Sequence, residues 1–228
     1  MFVFDAPVGA AYQVVNGLAE GLGPIAGGMS AVLAIMLFTV AVRLVLLPLA
    51  VRQALGDRAR ARLQPQVAAL RARYRKDPER QRRALVELYE KEGVSATAGC
   101  LPALAQWPFF AVMYRLFESA KVAGGRNALL AHTLLGAPLG HNVLTVVSMY
   151  GVLAPQALVC YGVLAAIAGV AWWSARRIEG DRLVRLAPYV TVVAAGFVPL
   201  AGAVYLLTTT AWTAAERALL RRDVALAA

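Results

Sequence analysis

Long apolar runs and compact basic segments alternate along the chain. Met29–Val51 is the first apolar run and carries Arg43 in its interior. It reads as a membrane span, because about 20 predominantly apolar residues cross a bilayer core. A polar, arginine-rich stretch follows from Arg52 to about Glu92. Cys100–Ser119 is the second span, entered through Gly99-Cys100-Leu101-Pro102 and containing Gln106 and Pro108. Leu144–Trp173 is apolar for 30 positions, too long for one ordinary span and too short for two with a connection. Pro155–Ala175 is therefore the expected third span, leaving Leu144–Ala154 at the interface or partly re-entering the membrane. From Leu183 to about Glu216 a further apolar stretch is cut by Pro199, where a sharp reversal is expected. Spans four and five then form a tight hairpin. Span four, of about 16 residues, is near 24 Å long against a hydrocarbon core of roughly 30 Å, so local thinning of the bilayer is predicted. No segment shows the period of two that a membrane barrel needs. The predicted fold is all-α: a polytopic membrane protein with five transmembrane helices and a cytoplasmic antiparallel helical hairpin.

Charge tests the span count. The formal net charge is +10, and 19 of the 23 Lys and Arg fall in Arg52–Glu92, Arg176–Arg185 and Arg217–Ala228. Five spans place all three segments on the inner side, with the amino terminus outside and the carboxyl terminus cytoplasmic. Splitting Leu144–Trp173 into two spans would move Arg176, Arg177, Arg182 and Arg185 outward. The basic charge is thus accounted for first by orientation rather than by nucleic-acid binding. The expected organisation is an outer segment 1–28, a five-helix core from 29–51 and 99–220, a cytoplasmic hairpin 52–98 and a basic tail 221–228. Within 1–28, the positions Val8, Tyr12, Val15 and Leu22 fit an outer interfacial helix. With Asp5 and no Lys or Arg before Arg43, the start lacks the basic onset of a signal peptide.

Between spans one and two, Leu63, Val67, Leu70 and Tyr74 recur at four, three and four, and Leu85, Leu88 and Tyr89 continue after Lys76-Asp77-Pro78. That is the pattern of two antiparallel helices with narrow apolar seams. The stretch Arg52–Glu92 holds 12 basic and 6 acidic residues. Arg71, Arg73, Arg75, Arg82 and Arg83, with Arg221 and Arg222 in the tail, fit two readings. They fix topology and skim anionic lipid, at about 1 kcal/mol each, or they dock an anionic partner such as ribosomal RNA or a targeting complex.

Arg43 is the chemical anomaly. An arginine near the centre of a span costs about 2.5–3.5 kcal/mol on insertion scales, and it sits roughly 12 Å of helix rise from Val51, beyond comfortable snorkelling. Helical spacing puts Val32, Met36, Thr39 and Arg43 on one face. Gln106 is the strongly polar side chain of span two. On span five, Tyr205, Thr209, Trp212 and Glu216 follow at four, three and four. Converging, these faces would line a water-filled pocket with a cationic floor; the competing reading is a buried strut capped by backbone carbonyls at proline breaks. No carboxylate lies in the central part of any span, so no internal ion pair is expected for Arg43, and the acidic relay of proton-driven carriers is missing.

Cys100 and Cys160 read as small hydrophobes with neither metal nor redox spacing, and His132 and His141 as ordinary loop residues. No nucleophile and base are apparent within the bundle, so an enzyme is not expected, and no metal site or cofactor is implied. A small helical channel or carrier for an anionic solute is the rival reading. It would usually show internal repeats or paired broken helices, and neither is present.

With these residues identified, the chain resembles the YidC family of membrane protein insertases. The resemblance spans Met29 to Arg222 and rests on an ordered series of blocks: Thr39-Val40-Ala41-Val42-Arg43 with Leu47-Pro48-Leu49, Leu63-Gln64-Pro65, Leu88-Tyr89, Gly99-Cys100-Leu101-Pro102 with Gln106, Pro108 and Tyr114, and Pro199 with Tyr205. Ser95-Ala96, Thr209-Thr210 and Leu206 depart from the family pattern. The resemblance implies a hydrophilic groove open to the cytoplasm and to lipid, sealed outside, with Arg43 as its cation, Thr39 beside it and Gln106 on its wall. It implies an insertase and chaperone in the plasma membrane of a bacterium, acting on nascent membrane proteins among membrane lipids, with the ribosome and the Sec translocon as further partners and no DNA.

Overall fold

The computed structural model describes residues 5–93, 111–119, 121–122, 125–178 and 182–225. Most of this backbone is helical. The chain divides into two compact units, Met1–Leu44 with Phe110–Ala228, and Val45–Phe109.

In the first unit, α1 (Asp5–Ala26) buries Val8, Ala11, Val15 and Ala19, a stripe at spacings of three, four and four that gives the helix one packed face. It ends where Gly27 takes φ +51, a left-handed conformation that glycine adopts without steric penalty. A single 3-10 turn, Gly27–Met29, then leads into α2 (Ser30–Val45), which buries Ala31, Val32, Ala34, Ile35 and Thr39. The apolar run expected to be one span from Met29 to Val51 is two helical pieces. α3 restarts at Leu47 with Pro48 in its first turn. Pro48 has no N–H to offer the carbonyl four residues back, and its ring crowds that carbonyl.

The described part of α5, residues 111–118, buries Val112, Met113, Leu116 and Phe117. Two miniature antiparallel hairpins follow, β1 (Lys121–Val122) with β2 (Gly125–Arg126) and β3 (Thr133–Leu134) with β4 (Ala137–Pro138). These four strands depart from an all-α fold, and two-residue strands are too short to leave a periodic signal. The β3–β4 turn places Leu135 at φ +49 and Gly136 at φ +87. Both positive values suit the twist of a two-residue hairpin loop, which usually carries Asn-Gly.

α6 (Val143–Tyr150) packs beside α7 (Pro155–Ala175) and α8 (Arg182–Phe197). α7 has the bounds expected of span three, and its inward residues Ala157, Cys160, Ile167 and Ala171 are mostly small. Small residues let neighbouring backbones approach closely. α8 and α9 (Leu200–Ala225) separate at Val198-Pro199, as the sequence predicts. α9 continues past Glu216, so residues 221–225 of the expected tail are helical.

Polar clips fasten the connecting loops of the first unit to its helices. The Tyr12 hydroxyl accepts the Ala128 N–H at 3.3 Å and donates to the Arg126 carbonyl at 3.5 Å. The N–H groups of Leu200 and Ala201 donate to the His141 and Leu139 carbonyls at 2.9 and 3.0 Å. Buried Asn127 donates through Nδ2 to the Leu116 and Ser119 carbonyls at 2.6 and 3.1 Å. Those carbonyls belong to the end of α5, where helical partners run out.

The second unit contains a helical hairpin. α3 (Leu47–Arg73) and α4 (Pro78–Lys91) are joined by a short turn at Tyr74–Lys76. Asp77 caps α4, its carboxylate accepting the Arg80 N–H at 3.0 Å, and Pro78 follows at a position that needs no N–H. Leu63 and Val67 of the expected seam are buried, whereas Leu70, Tyr74, Leu85, Leu88 and Tyr89 are half-buried. Cys100 and Gln106 lie outside the described residues.

Among the described residues, Asp5–Val45 and Pro155–Ala175 are long and apolar enough to cross a membrane, and Arg185–Phe197 is a shorter apolar helix. Asn127→Ala removes the donor shared by two carbonyls at the end of α5. A loss of about 1–3 kcal/mol per buried group left unpaired is expected. Thermal unfolding in detergent micelles should show a lowered midpoint; an unchanged midpoint would show that the carbonyls find other partners.

Candidate functional site

α9 opens with Leu200-Ala201-Gly202-Ala203, and its small residues permit a tight start: a Cβ on Gly202 would meet Val198 at 3.3 Å. Tyr205, one turn further, is 3 % exposed and packs its ring 6.2 Å from that of Phe117, tilted by 41°. Such an offset geometry suits aromatic quadrupoles. The Tyr205 phenol is directed at the side chain of Thr209, one turn on, and lies within electrostatic range of Arg43.

Arg43, in the last turn of α2, is half-buried. Tyr205 and Glu216 are the titratable groups that act on its guanidinium through space. Glu216 is itself held in place, its Oε2 accepting the Trp212 indole N–H at 2.9 Å. Two members of the four-three-four stripe of α9, Tyr205 and Glu216, thus act on the Arg43 charge, and Trp212 is tied to the second of them. Among the described residues, none of the ion pairs includes Arg43 or Glu216. The cation thus has a carboxylate in range without being locked to it.

Two expectations for α2 change. Thr39 is buried and its hydroxyl donates to the Ile35 carbonyl at 2.7 Å, so its polarity is spent within its own helix. Met36, placed by spacing on the same face, is 39 % exposed and turns away from the packed side. The sequence puts Glu216 on the α9 stripe but does not mark it as a counter-charge to Arg43. Its four-residue spacing from Trp212 was visible, but its position at the end of the span hid its reach toward Arg43.

Three hydroxyls of α9 are likewise satisfied within the helix: Thr208, Thr210 and Thr213 donate to the carbonyls of Val204, Leu206 and Thr209 at 2.9, 2.7 and 2.9 Å. Back-bonding of this kind makes a threonine-rich helix compatible with lipid.

On the hairpin, Arg71, Arg73, Arg75, Arg82 and Arg83 are all exposed. Arg73 lies over the Tyr74 ring at 5.4 Å, and Arg83 meets Glu79 at 3.6 Å with both side chains largely in solvent, a pair of little energetic weight. Arg221 and Arg222 belong to the last turns of α9, and their side chains lie outside the described set. Among the described residues, no group of three His, Cys, Asp or Glu could hold a metal.

Comparison with known proteins extends this picture. The family described as 60Kd inner membrane protein matches residues 22–226. A membrane protein insertase YidC of Acidiphilium cryptum is 35% identical over 185 residues, covering 78% of this chain and 28% of the relative. That of Zymomonas mobilis is 34% identical over 153 residues, 66% of this chain and 26% of its own. That of Clostridium perfringens is 33% identical over 106 residues, 46% and 44%. The aligned stretches thus span from about a quarter to under half of these relatives. A family match that takes in nearly every element from the end of α1 to the end of α9 places the chain plainly: it belongs to the 60Kd inner membrane protein family, alongside the YidC insertases.

Proposed function

We propose that the protein is a membrane protein insertase and chaperone. It moves short polar tails of nascent membrane proteins through a hydrophilic groove open to the cytoplasm, and releases the apolar helix of each substrate into lipid. The observation that carries this reading is Arg43: a half-buried guanidinium in an apolar helix, in range of Tyr205 and Glu216 and outside the ion pairs of the described residues.

In this reading five spans, α2 with the start of α3, α5, α7, α8 and the apolar part of α9, cross the plasma membrane of a bacterium with the amino terminus outside. The stacking of Arg176 on Trp172 at 3.7 Å and of Arg177 on Trp173 at 3.9 Å supports that orientation, since both stacks cap the end of α7 assigned to the inner surface. Aromatic rings favour headgroup depth, and arginines favour the cytoplasmic side.

The mechanism follows from electrostatics. An acidic tail entering the groove meets Arg43 in a lowered dielectric, where attraction exceeds that in water. Glu216 acts as the resident counter-charge that the tail displaces. A potential positive outside then contributes about 2.3 kcal/mol per negative charge per 100 mV. The short α8 would thin the bilayer and shorten the remaining path. The exposed arginines of the α3–α4 hairpin would hold the ribosome or the Sec translocon nearby.

Insertion into proteoliposomes of a single-span substrate with a short acidic tail tests the central charge. Arg43→Ala should lower the yield by roughly tenfold, equivalent to ~1.4 kcal/mol, while a neutral-tailed substrate is spared; Arg43→Lys should be milder. Unimpaired insertion of the acidic substrate by a folded Arg43→Ala protein would reject the electrostatic role. Glu216→Gln, by removing the competitor, should raise the yield of the same substrate, and a lower yield would count against displacement. Replacing Arg71, Arg73, Arg75, Arg82 and Arg83 together by glutamine should weaken co-sedimentation with ribosomes. It should also flatten the dependence on salt by roughly 0.7 log units per lost phosphate contact; an unchanged salt slope would assign these arginines to topology alone.

A further inference from the structure

The segment Asn142–Ala154 joins the outer hairpins to α7 and contains no charged residue. Its apolar side chains mostly face away from the protein: Leu153 is 85 % exposed, Leu144 64 %, Val152 60 % and Met149 58 %, with only Val146 turned fully inward. In water, so many large apolar groups within ten residues would form a contiguous patch of the kind that drives association.

The polar groups of the segment behave in the opposite way. The Asn142 Oδ1 accepts both the N–H and the hydroxyl of Thr145, at 2.9 and 2.8 Å, and its Nδ2 donates to the Phe197 carbonyl at 3.3 Å. The Ser148 hydroxyl donates to the Thr145 carbonyl at 2.8 Å. After α6 the chain keeps bonding to itself, Gly151 N–H to the Val147 carbonyl at 2.9 Å and Ala154 N–H to the Gly151 carbonyl at 3.4 Å. Apolar side chains outside and polar groups closed upon the backbone are what a hydrocarbon solvent selects, since it offers no hydrogen bonds.

We infer that Asn142–Ala154 is embedded in the outer leaflet of the bilayer, its exposed apolar face covered by phospholipid acyl chains. Continuity supports lipid rather than protein as the covering. The exposed row leads directly into Leu158, 54 % exposed on α7, a helix long and apolar enough to span. Length supports one leaflet: an eight-residue helix is about 12 Å long, under half of a core of roughly 30 Å. Tyr150, 46 % exposed, supplies the amphipathic ring suited to the headgroup boundary. The same segment holds the turn between α8 and α9 through Asn142 and Phe197, so lipid anchorage of α6 steadies the outer end of that hairpin. The inference rests on the five-span reading for which side is outer.

Depth-resolved fluorescence tests it in the full chain with Cys100 and Cys160 replaced by alanine. An environment-sensitive NBD label at Leu153→Cys or Leu144→Cys, in phosphatidylcholine liposomes, should be quenched at least twofold by doxyl-labelled lipids and left unaffected by iodide. A label at Arg75→Cys should show the reverse, and one at Leu158→Cys reports on α7. Iodide quenching at Leu153 with doxyl quenching at Leu158 would overturn the inference and leave the spans intact. Iodide quenching at both would remove the five-span reading itself. A label at Leu153 shielded from both quenchers would overturn the lipid assignment in favour of a protein cover, such as a second copy of the chain.

Discussion

A guanidinium cannot lose its proton under any cellular condition, and a hydrocarbon solvent cannot hydrate it. Everything around Arg43 follows from that pair of facts. Placing it in an apolar helix costs about 2.5–3.5 kcal/mol, which something nearby must offset. The surroundings offer a phenol, a carboxylate held by an indole and partial exposure. A tight buried ion pair would offset the cost more fully, but it would leave a neutral, occupied site. A counter-charge in range, outside the ion pairs of the described residues, leaves the cation short of that neutral state.

The same solvent constraint shapes the uncharged parts of the first unit. Several hydroxyls and amides there bond to backbone carbonyls of their own element or of a neighbouring turn: Thr39 to Ile35, Thr208 to Val204, Ser148 to Thr145 and Asn142 to Phe197. The hairpin of the second unit obeys the opposite rule. Its described arginines stand in solvent and, of its seam, only Leu63 and Val67 are buried, so the capped turn at Asp77-Pro78 supports it beside a thin core.

Much of this was legible in the sequence, for identifiable reasons. Proline positions set α7 to begin at Pro155 and divided α8 from α9 at Pro199, because a missing N–H acts locally and regardless of context. The same rule applied to Pro48 would have divided the first span, and the uninterrupted apolar run concealed it. The α3–α4 turn was readable from Lys76-Asp77-Pro78, since cap and first-turn residues carry a local hydrogen-bonding logic. Spacing on α9 revealed the stripe from Tyr205 to Glu216. What spacing cannot give is the rotation of α2 relative to its neighbours, which sent Met36 outward and turned Thr39 into a packing residue. The four short strands leave no periodic signal at two residues each, and the left-handed Leu135 sits in a tight turn that lacks the Asn-Gly usually marking one.

The first turn of α9 borrows its two outermost hydrogen-bond acceptors, the carbonyls of Leu139 and His141, from a loop some sixty residues earlier in the chain. Those acceptors are synthesised well before the amides that need them. Leu200 and Ala201 therefore depend for these partners on nothing that follows them in the chain.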